Sequence, residues 1–99
     1  MSDPMTGAQK RLLKAKAQRL EATLKIGKNG LSEGFLKEFN EALDLQELVK
    51  VRFVEFKEEK KTLAPKLAEL TGSLLVARVG HVAVFYRPHP DPSKRRILN

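Results

Sequence analysis

The chain has 99 residues, of which 41% are hydrophobic and 31% charged, and its formal net charge at pH 7 is +7. This length and composition fit one globular domain and exclude both a two-domain protein and a disordered chain. Because there is no cysteine, a disulfide scaffold, a thiolate metal site and a cysteine nucleophile are excluded as well. No apolar run approaches the ~20 residues of a membrane span and no secretory signal is visible, so we expect a cytoplasmic protein with no membrane partner.

The first predicted element is a helix that begins after Thr6 and reaches about Glu21. Thr6 is a good N-cap, and the segment is rich in Ala, Leu, Lys and Gln, which favour a helix. A short strand is then predicted over residues 23–26. At helical spacing along the first helix, the residues expected to pack on the core are Leu13, Ala17 and Leu20.

A second helix is predicted from an N-cap at Ser32 to about Leu45, with Phe35 and Phe39 on its inner face. Residues 48–56 alternate between an apolar face and a face that mixes apolar and basic side chains. This period of two predicts a strand.

A third helix is predicted over residues 58–70, with Gly72 just beyond its end. Pro65 lies inside it and lacks the backbone donor that would bond to the preceding turn. The helix therefore either kinks at Pro65 or has its regular part later, and both alternatives remain open.

Two apolar runs, residues 74–79 and 82–86, predict a β-hairpin. Their connection, Gly80-His81, has glycine first, which suits a type II′ turn. The prolines that follow are expected to exclude further regular structure and to leave residues 88–99 as a disordered basic tail. The hairpin would place Leu75, Ala77 and Val79 opposite Tyr86, Val84 and Val82, respectively.

The element order is therefore α-β-α-β-α-β-β. Helices that alternate with strands in this way predict an α/β fold, an α+β sandwich in which a mixed sheet carries helices on at least one face. We expect residues 1–5 to be disordered and residues 6–87 to form the single domain.

Positive charge is concentrated near the start of the chain. Residues 6–30 carry seven basic side chains and one acidic side chain, whereas residues 31–72 carry seven basic and nine acidic ones. A generic solubilising surface would be more even. The uneven distribution therefore favours a polyanionic partner.

A Gly27-Lys28-Asn29-Gly30 sequence joins the first strand to the second helix. Glycines let a backbone approach a ligand closely, and the first amides of a helix have no acceptor within it. A phosphate could take those donors beside the charge of Lys28, as in the GXXG loop of KH modules. The alternative is a plain turn, since Asn-Gly is common in turns. The longer glycine spacing of a Walker nucleotide site is absent.

The remaining polar and aromatic residues give no sign of catalysis. His81 and His89 have no carboxylate or metal-ligand partner at useful spacing, and the acidic residues of the second helix fit a solvated face. Tyr86 could stack on a base, but an aromatic at the end of an apolar strand is more often core. We therefore expect no enzyme activity, no cofactor and no metal.

Five segments together resemble the YhbY-type CRM domain (chloroplast RNA splicing and ribosome maturation). Each segment is common alone, but their order and spacing are specific, and the resemblance covers about residues 5–88. The segments are Thr-Gly-Ala-Gln-Lys-Arg-Leu-Leu at 6–13, Ile-Gly-Lys-Asn-Gly-Leu-Ser-Glu-Gly at 26–34, Glu-Leu-Val-Lys-Val-Arg at 47–52, Leu-Thr-Gly at 70–72 and Val-Gly-His-Val-Ala-Val-Phe-Tyr-Arg-Pro at 79–88.

The resemblance implies a four-stranded mixed sheet similar to the C-terminal domain of bacterial translation initiation factor three. It also implies RNA binding through the loop at residues 27–30, with large-subunit ribosomal RNA or its precursor particle as the expected partner. We expect the protein itself to be a monomer. Two positions depart from the family pattern: Pro65 interrupts a helix that is usually continuous, and His81 replaces a basic residue. The RNA contacts expected around the loop are Lys10, Arg11, Lys14, Lys25, Lys50, Arg52, Arg78 and Arg87.

The alternatives to RNA binding are a ribosome-associated adaptor, whose main contact would be with protein, and a binder of double-stranded DNA. Lys50 and Arg52, like Arg78 and Arg87, could also belong to a solvated surface. A binder of double-stranded DNA would need a helix-turn-helix signal, which is absent.

Overall fold

The computed structural model describes residues 6–20 and 24–95. Three predictions lie outside these residues: disorder at residues 1–5, the strand start at Thr23 and the course of residues 96–99. The first helix was predicted to reach about Glu21, but it ends at Gln18. Within the described part, three helices and four strands follow one another in the predicted order, and a short 3-10 helix comes last. None of the described helices has the length and hydrophobicity of a membrane span.

The first two helices begin at the predicted N-caps. Helix α1 (Gly7–Gln18) has a capping box, because Thr6 Oγ1 accepts from the Gln9 amide at 3.1 Å while Gln9 Oε1 accepts from the Thr6 amide at 3.1 Å. Helix α2 (Glu33–Gln46) begins after Ser32, whose Oγ accepts from the Phe35 amide at 3.2 Å. Both predictions are confirmed.

Helix α3 (Lys60–Thr71) begins two residues later than predicted and continues through Pro65. The donor that Pro65 lacks would have bonded to the carbonyl of Lys61, which lies on an exposed residue and can be hydrated. The helix ends at Gly72, where φ is +64° and the backbone is left-handed.

Four strands form one mixed sheet in the order β1-β2-β4-β3. Strands β1 (Leu24–Ile26) and β2 (Leu48–Phe53) are parallel. Strands β3 (Leu74–Val79) and β4 (Val82–Tyr86) form an antiparallel hairpin, and β4 is antiparallel to β2. This is the α+β architecture that the sequence predicted.

The hairpin register is correct near the turn and wrong farther from it. Val79 pairs with Val82 and Ala77 with Val84, as predicted, but Leu75 pairs with Phe85 rather than with Tyr86. The register shifts between Leu75 and Ala77, where one extra residue forms an irregularity of the β-bulge type. Simple alternation along the strand cannot reveal this extra residue.

Both faces of the sheet are covered by helices. Helices α2 and α3 pack on one face, where the Phe39 ring meets that of Phe85 edge to face with centroids 5.1 Å apart. Helix α1 covers part of the other face through Leu13 and Ala17. Tyr86 is buried in this second cluster at 4% exposure, which favours the core role over base stacking.

One core prediction for helix α1 is wrong. Leu20 is 38% exposed, because α1 ends at Gln18 and the residues beyond it no longer follow the helical spacing.

The segment after β4 is held against the end of α2. The Arg87 amide donates to the Glu47 carbonyl at 2.9 Å, and the His89 amide donates to Glu47 Oε2 at 2.7 Å. Residues Pro92–Lys94 form a 3-10 helix, and Arg95 Nε donates to the His89 carbonyl at 2.7 Å. The expectation of a structureless tail was therefore wrong for residues 88–95, because polar contacts replace the sheet pairing that proline prevents.

Candidate nucleic-acid interface

Three connections meet at one end of the sheet. Because β1 and β2 are parallel, the segments that follow them, residues 27–32 and 54–59, leave the sheet at the same end. The hairpin turn at residues 80–81 joins them, since Val82 at the start of β4 pairs with Arg52 near the end of β2. We refer to these three segments as the loop end of the sheet.

The glycine loop (residues 27–30) is a tight turn at this end. The Gly30 amide donates to the Gly27 carbonyl at 3.0 Å, and Gly30 takes φ +58°, a left-handed conformation that favours glycine. Lys28 and Asn29 at the tip are exposed. The loop and the first turn of α2 border an open hollow of about 280 Å³.

Several amides of the glycine loop and of the first turn of α2 have no hydrogen-bond partner in the described part of the protein. Ser32 Oγ takes the Phe35 amide, and the Gly30 amide closes the turn, so these two donors are already used. Within residues 6–20 and 24–95, no oxygen accepts from the amides of Lys28, Asn29, Glu33 and Gly34. Unpaired amides at a helix N-terminus, where the helix dipole is positive, suit an anion.

Acidic side chains limit this positive field. Glu33 stands in the first turn of α2 and Glu38 lines the same hollow. Both compete with a bound anion, so the electrostatic attraction depends on Lys28 and on the basic residues of the sheet.

Three predicted basic residues share the sheet face on which α1 packs. Lys25 pairs with Arg52, and Lys50 lies two residues before Arg52 on β2, so their side chains emerge on one side. Lys25 and Arg52 are exposed, whereas Lys50 is partly buried and its Nζ donates to the Leu20 carbonyl at 2.9 Å. Lys50 therefore also secures the end of α1.

The first helix contributes the other predicted basic residues on this side. Lys10, Arg11 and Lys14 are all exposed. Lys14 and Lys50 line a groove of about 200 Å³ between α1 and the sheet, and its apolar wall consists of Ala17, Ala77, Val79, Val82 and Val84.

The last two predicted residues are not brought to the interface. Arg78 pairs with Ala83 and so lies on the opposite face of the sheet. Arg87 lies at the other end, where its guanidinium donates to Asn40 Oδ1 at 2.8 Å, the Thr71 carbonyl at 2.7 Å and Asp44 Oδ1 at 2.9 Å. Because these contacts occupy it, Arg87 is a structural residue rather than a free cation.

His81 lies among cations at the loop end. Its Nδ1 is 3.2 Å from Lys60 Nζ. Desolvation, followed by the charges of Lys60, Lys57 and Arg52, lowers the pKa of His81 below its ordinary value of 6.5. The imidazole is therefore neutral at pH 7, and Lys57 and Lys60 carry the positive charge beside it.

A sequence model of the CRS1 / YhbY (CRM) domain matches residues 5–87. The chain belongs to this family. It is 36% identical over 84 residues to the "Probable RNA-binding protein YqeI" of Bacillus subtilis, an alignment that covers 84% of this chain and 88% of the relative. It is 37% identical over 84 residues to an "RNA-binding protein" of Haemophilus influenzae, with 84% and 85% covered.

A solved structure shows the same fold. The solution structure of the hypothetical protein SAV1595 from Staphylococcus aureus is similar with a TM-score of 0.76 and 34% sequence identity. The match covers 95% of this chain and 99% of that chain.

Phe56 lies at the loop end of this CRM domain but was not among the RNA contacts predicted from the sequence. Phe56 was predicted as the last residue of a strand, because the alternation of residues 48–53 continues through Val54 and Phe56. The strand ends at Phe53, and Phe56 lies in the following loop with a positive φ of 56°. No feature of the alternation distinguishes the two cases.

Proposed function

We propose that this CRM domain binds RNA by seating backbone phosphates on the glycine loop and the first turn of α2. The proposal rests on the amides of four residues, Lys28, Asn29, Glu33 and Gly34. No oxygen in the described part of the protein accepts a hydrogen bond from them. Lys28 supplies a full charge beside them. Relatives named as RNA-binding proteins support the same partner.

Basic residues extend the proposed path beyond the loop. Lys25 and Arg52 are exposed on the neighbouring sheet face, and Lys14 stands across the groove from Lys50. Phosphate contacts of this kind position a nucleic acid but read no sequence. Affinity should therefore fall steeply with salt and depend little on base sequence.

We further propose that the target is large-subunit ribosomal RNA or its precursor particle, bound by a monomer in the cytoplasm without catalysis. The family resemblance supports this target. A ribosome-associated adaptor is the second candidate, because Leu45 and Leu70 are 70% and 52% exposed and offer apolar contact area. Charge reversal at the loop would leave such a protein contact intact.

The experiment compares Lys28→Glu with Lys66→Glu, a matched charge reversal at an exposed position of α3. Binding of a labelled, structured RNA is followed by fluorescence anisotropy at several salt concentrations. Lys28→Glu should weaken binding and reduce the salt slope by ~0.7 for each phosphate of single-stranded RNA that the variant no longer neutralises. Lys66→Glu should match the wild type, and both variants should keep its melting temperature. Unchanged affinity and slope in Lys28→Glu would contradict the proposal.

A further inference from the structure

Phe56 lies beside the glycine loop because two hydrogen bonds fix the segment that carries it. The amides of Val54 and Glu55 both donate to the Ile26 carbonyl at 3.0 Å, directly before Gly27. The chain then turns toward α3, and the Glu59 amide donates to the Phe56 carbonyl at 3.1 Å. The position of Phe56 is thus tied to the start of the glycine loop.

The backbone of Phe56 is in a conformation that aromatic residues rarely adopt. Its φ is 56°, in the left-handed region, where a bulky side chain is strained. In this conformation one edge of the ring points at Gly30: a Cβ placed on Gly30 would lie 3.4 Å from Phe56 Cε2 and 3.7 Å from Cζ. The ring is therefore in packing range of the glycine loop.

Phe56 differs from the other phenylalanines in its exposure. It is 39% exposed, whereas the other four are at most 8% exposed and belong to the core cluster. A partly exposed aromatic is ordinary on a protein surface. What sets Phe56 apart is its place against Gly30, in contact range of the loop that carries exposed Lys28 and amides without a described acceptor.

We propose that Phe56 is a stacking platform for one unpaired nucleobase of the RNA whose phosphate occupies the glycine loop. This inference rests on the function proposed above and adds a base contact to it. Aromatic side chains that stack on bases tolerate any base, because every base has a π-face. The contact would favour single-stranded over duplex RNA without selecting a sequence.

The charges around Phe56 determine how the strand would run. Glu55, Glu58 and Glu59 surround it with Lys57 as the one cation of that segment, residues 54–59. The excess of carboxylates repels phosphates. The backbone would therefore remain on the Lys28 side, and a neutral base would turn toward the ring.

The absence of tryptophan from the chain allows a direct test. Phe56→Trp introduces a single reporter whose fluorescence should be quenched when single-stranded RNA binds, because a base stacks on the indole. Leu45→Trp, at a site 70% exposed at the other end of the sheet, is the matched control and should not be quenched. Equal quenching at both positions, or at neither, would overturn the inference.

A second measurement separates stacking from a role in shaping the loop. Phe56→Leu keeps an apolar side chain but removes the π-face, and its affinity should fall roughly 5- to 100-fold for single-stranded RNA. With an abasic strand of the same length, Phe56→Leu and the wild type should bind equally. An equal decrease in affinity on both strands would indicate loop shaping and overturn the inference.

The same experiment distinguishes this inference from the proposed function. If Lys28→Glu weakens binding but Phe56→Leu binds every strand as the wild type does, RNA binding stands and the stacking role fails. If the wild type binds neither strand, the proposed function itself fails.

Discussion

Arg87 and Asp44 form an ion pair of 2.9 Å that joins the end of the sheet to helix α2. The same guanidinium donates to Asn40 Oδ1 and to the carbonyl of Thr71, the last residue of α3. One side chain therefore connects β4, α2 and α3 at the end of the sheet opposite the glycine loop. The side chain of Arg87 is 23% exposed and that of Asp44 is 67% exposed, so we expect Arg87 to contribute more than Asp44 to the stability of the fold.

We expect Arg87→Ala to lower the free energy of unfolding by roughly 2–3 kcal/mol, because partly buried acceptors are deprived of a charged donor. Asp44→Ala should cost less than about 1 kcal/mol, because that end of the pair is solvated. Urea denaturation measures both. RNA affinity should be unchanged in both variants, and weaker RNA binding with normal stability in Arg87→Ala would place Arg87 in the interface instead.

Gly30 and Gly34 offer a matched pair of glycine substitutions. Gly30→Ala should destabilise the protein by about 1–2 kcal/mol, because alanine is strained at φ +58°. Gly34→Ala should be neutral or stabilise by up to about 1 kcal/mol, because it lies in helix α2 and a Cβ there meets nothing within 4 Å. Thermal unfolding followed by circular dichroism measures both, and a stabilising Gly30→Ala would show that the loop geometry is wrong.

His81 predicts a pH dependence of stability. Its folded pKa lies below the ordinary 6.5 of the unfolded chain, so the unfolded state binds the proton more tightly. The contribution of His81 to stability is fully present above pH 6.5 and is lost as the pH falls through that value toward the lower folded pKa. Urea midpoints between about pH 7.5 and 5.5 should therefore fall less in His81→Gln than in the wild type. Identical pH profiles would contradict the depressed pKa.

The elements were predictable from sequence because local signals define them. Thr6 and Ser32 cap their helices as N-cap residues do, and the Gly80-His81 turn fixes the hairpin register for the pairs nearest to it. The register shift between Leu75 and Ala77 was not predictable. A bulge depends on packing against both faces of the sheet, and no local signal marks the extra residue.

The candidate site was only partly predictable for a similar reason. The glycine loop is contiguous in sequence, so its residues could be named together. Whether a distant arginine lies near this loop depends on tertiary contacts that the sequence does not show. Arg52 is exposed at the loop end, whereas the guanidinium of Arg87 is hydrogen-bonded to Asn40, Asp44 and Thr71 at the other end. Phe56 was missed because the strand alternation continues past the last paired residue, Phe53.

The central claim, that phosphates bind the unpaired amides at the front of α2, is tested most directly by NMR. A two-dimensional ¹H–¹⁵N spectrum of the labelled protein is recorded as single-stranded RNA is added. The account predicts downfield shifts of the amide protons of Lys28, Asn29, Glu33 and Gly34, and little change for the Phe35 amide, whose proton Ser32 Oγ already accepts. RNA binding that leaves these four amides unshifted while other residues respond would contradict it.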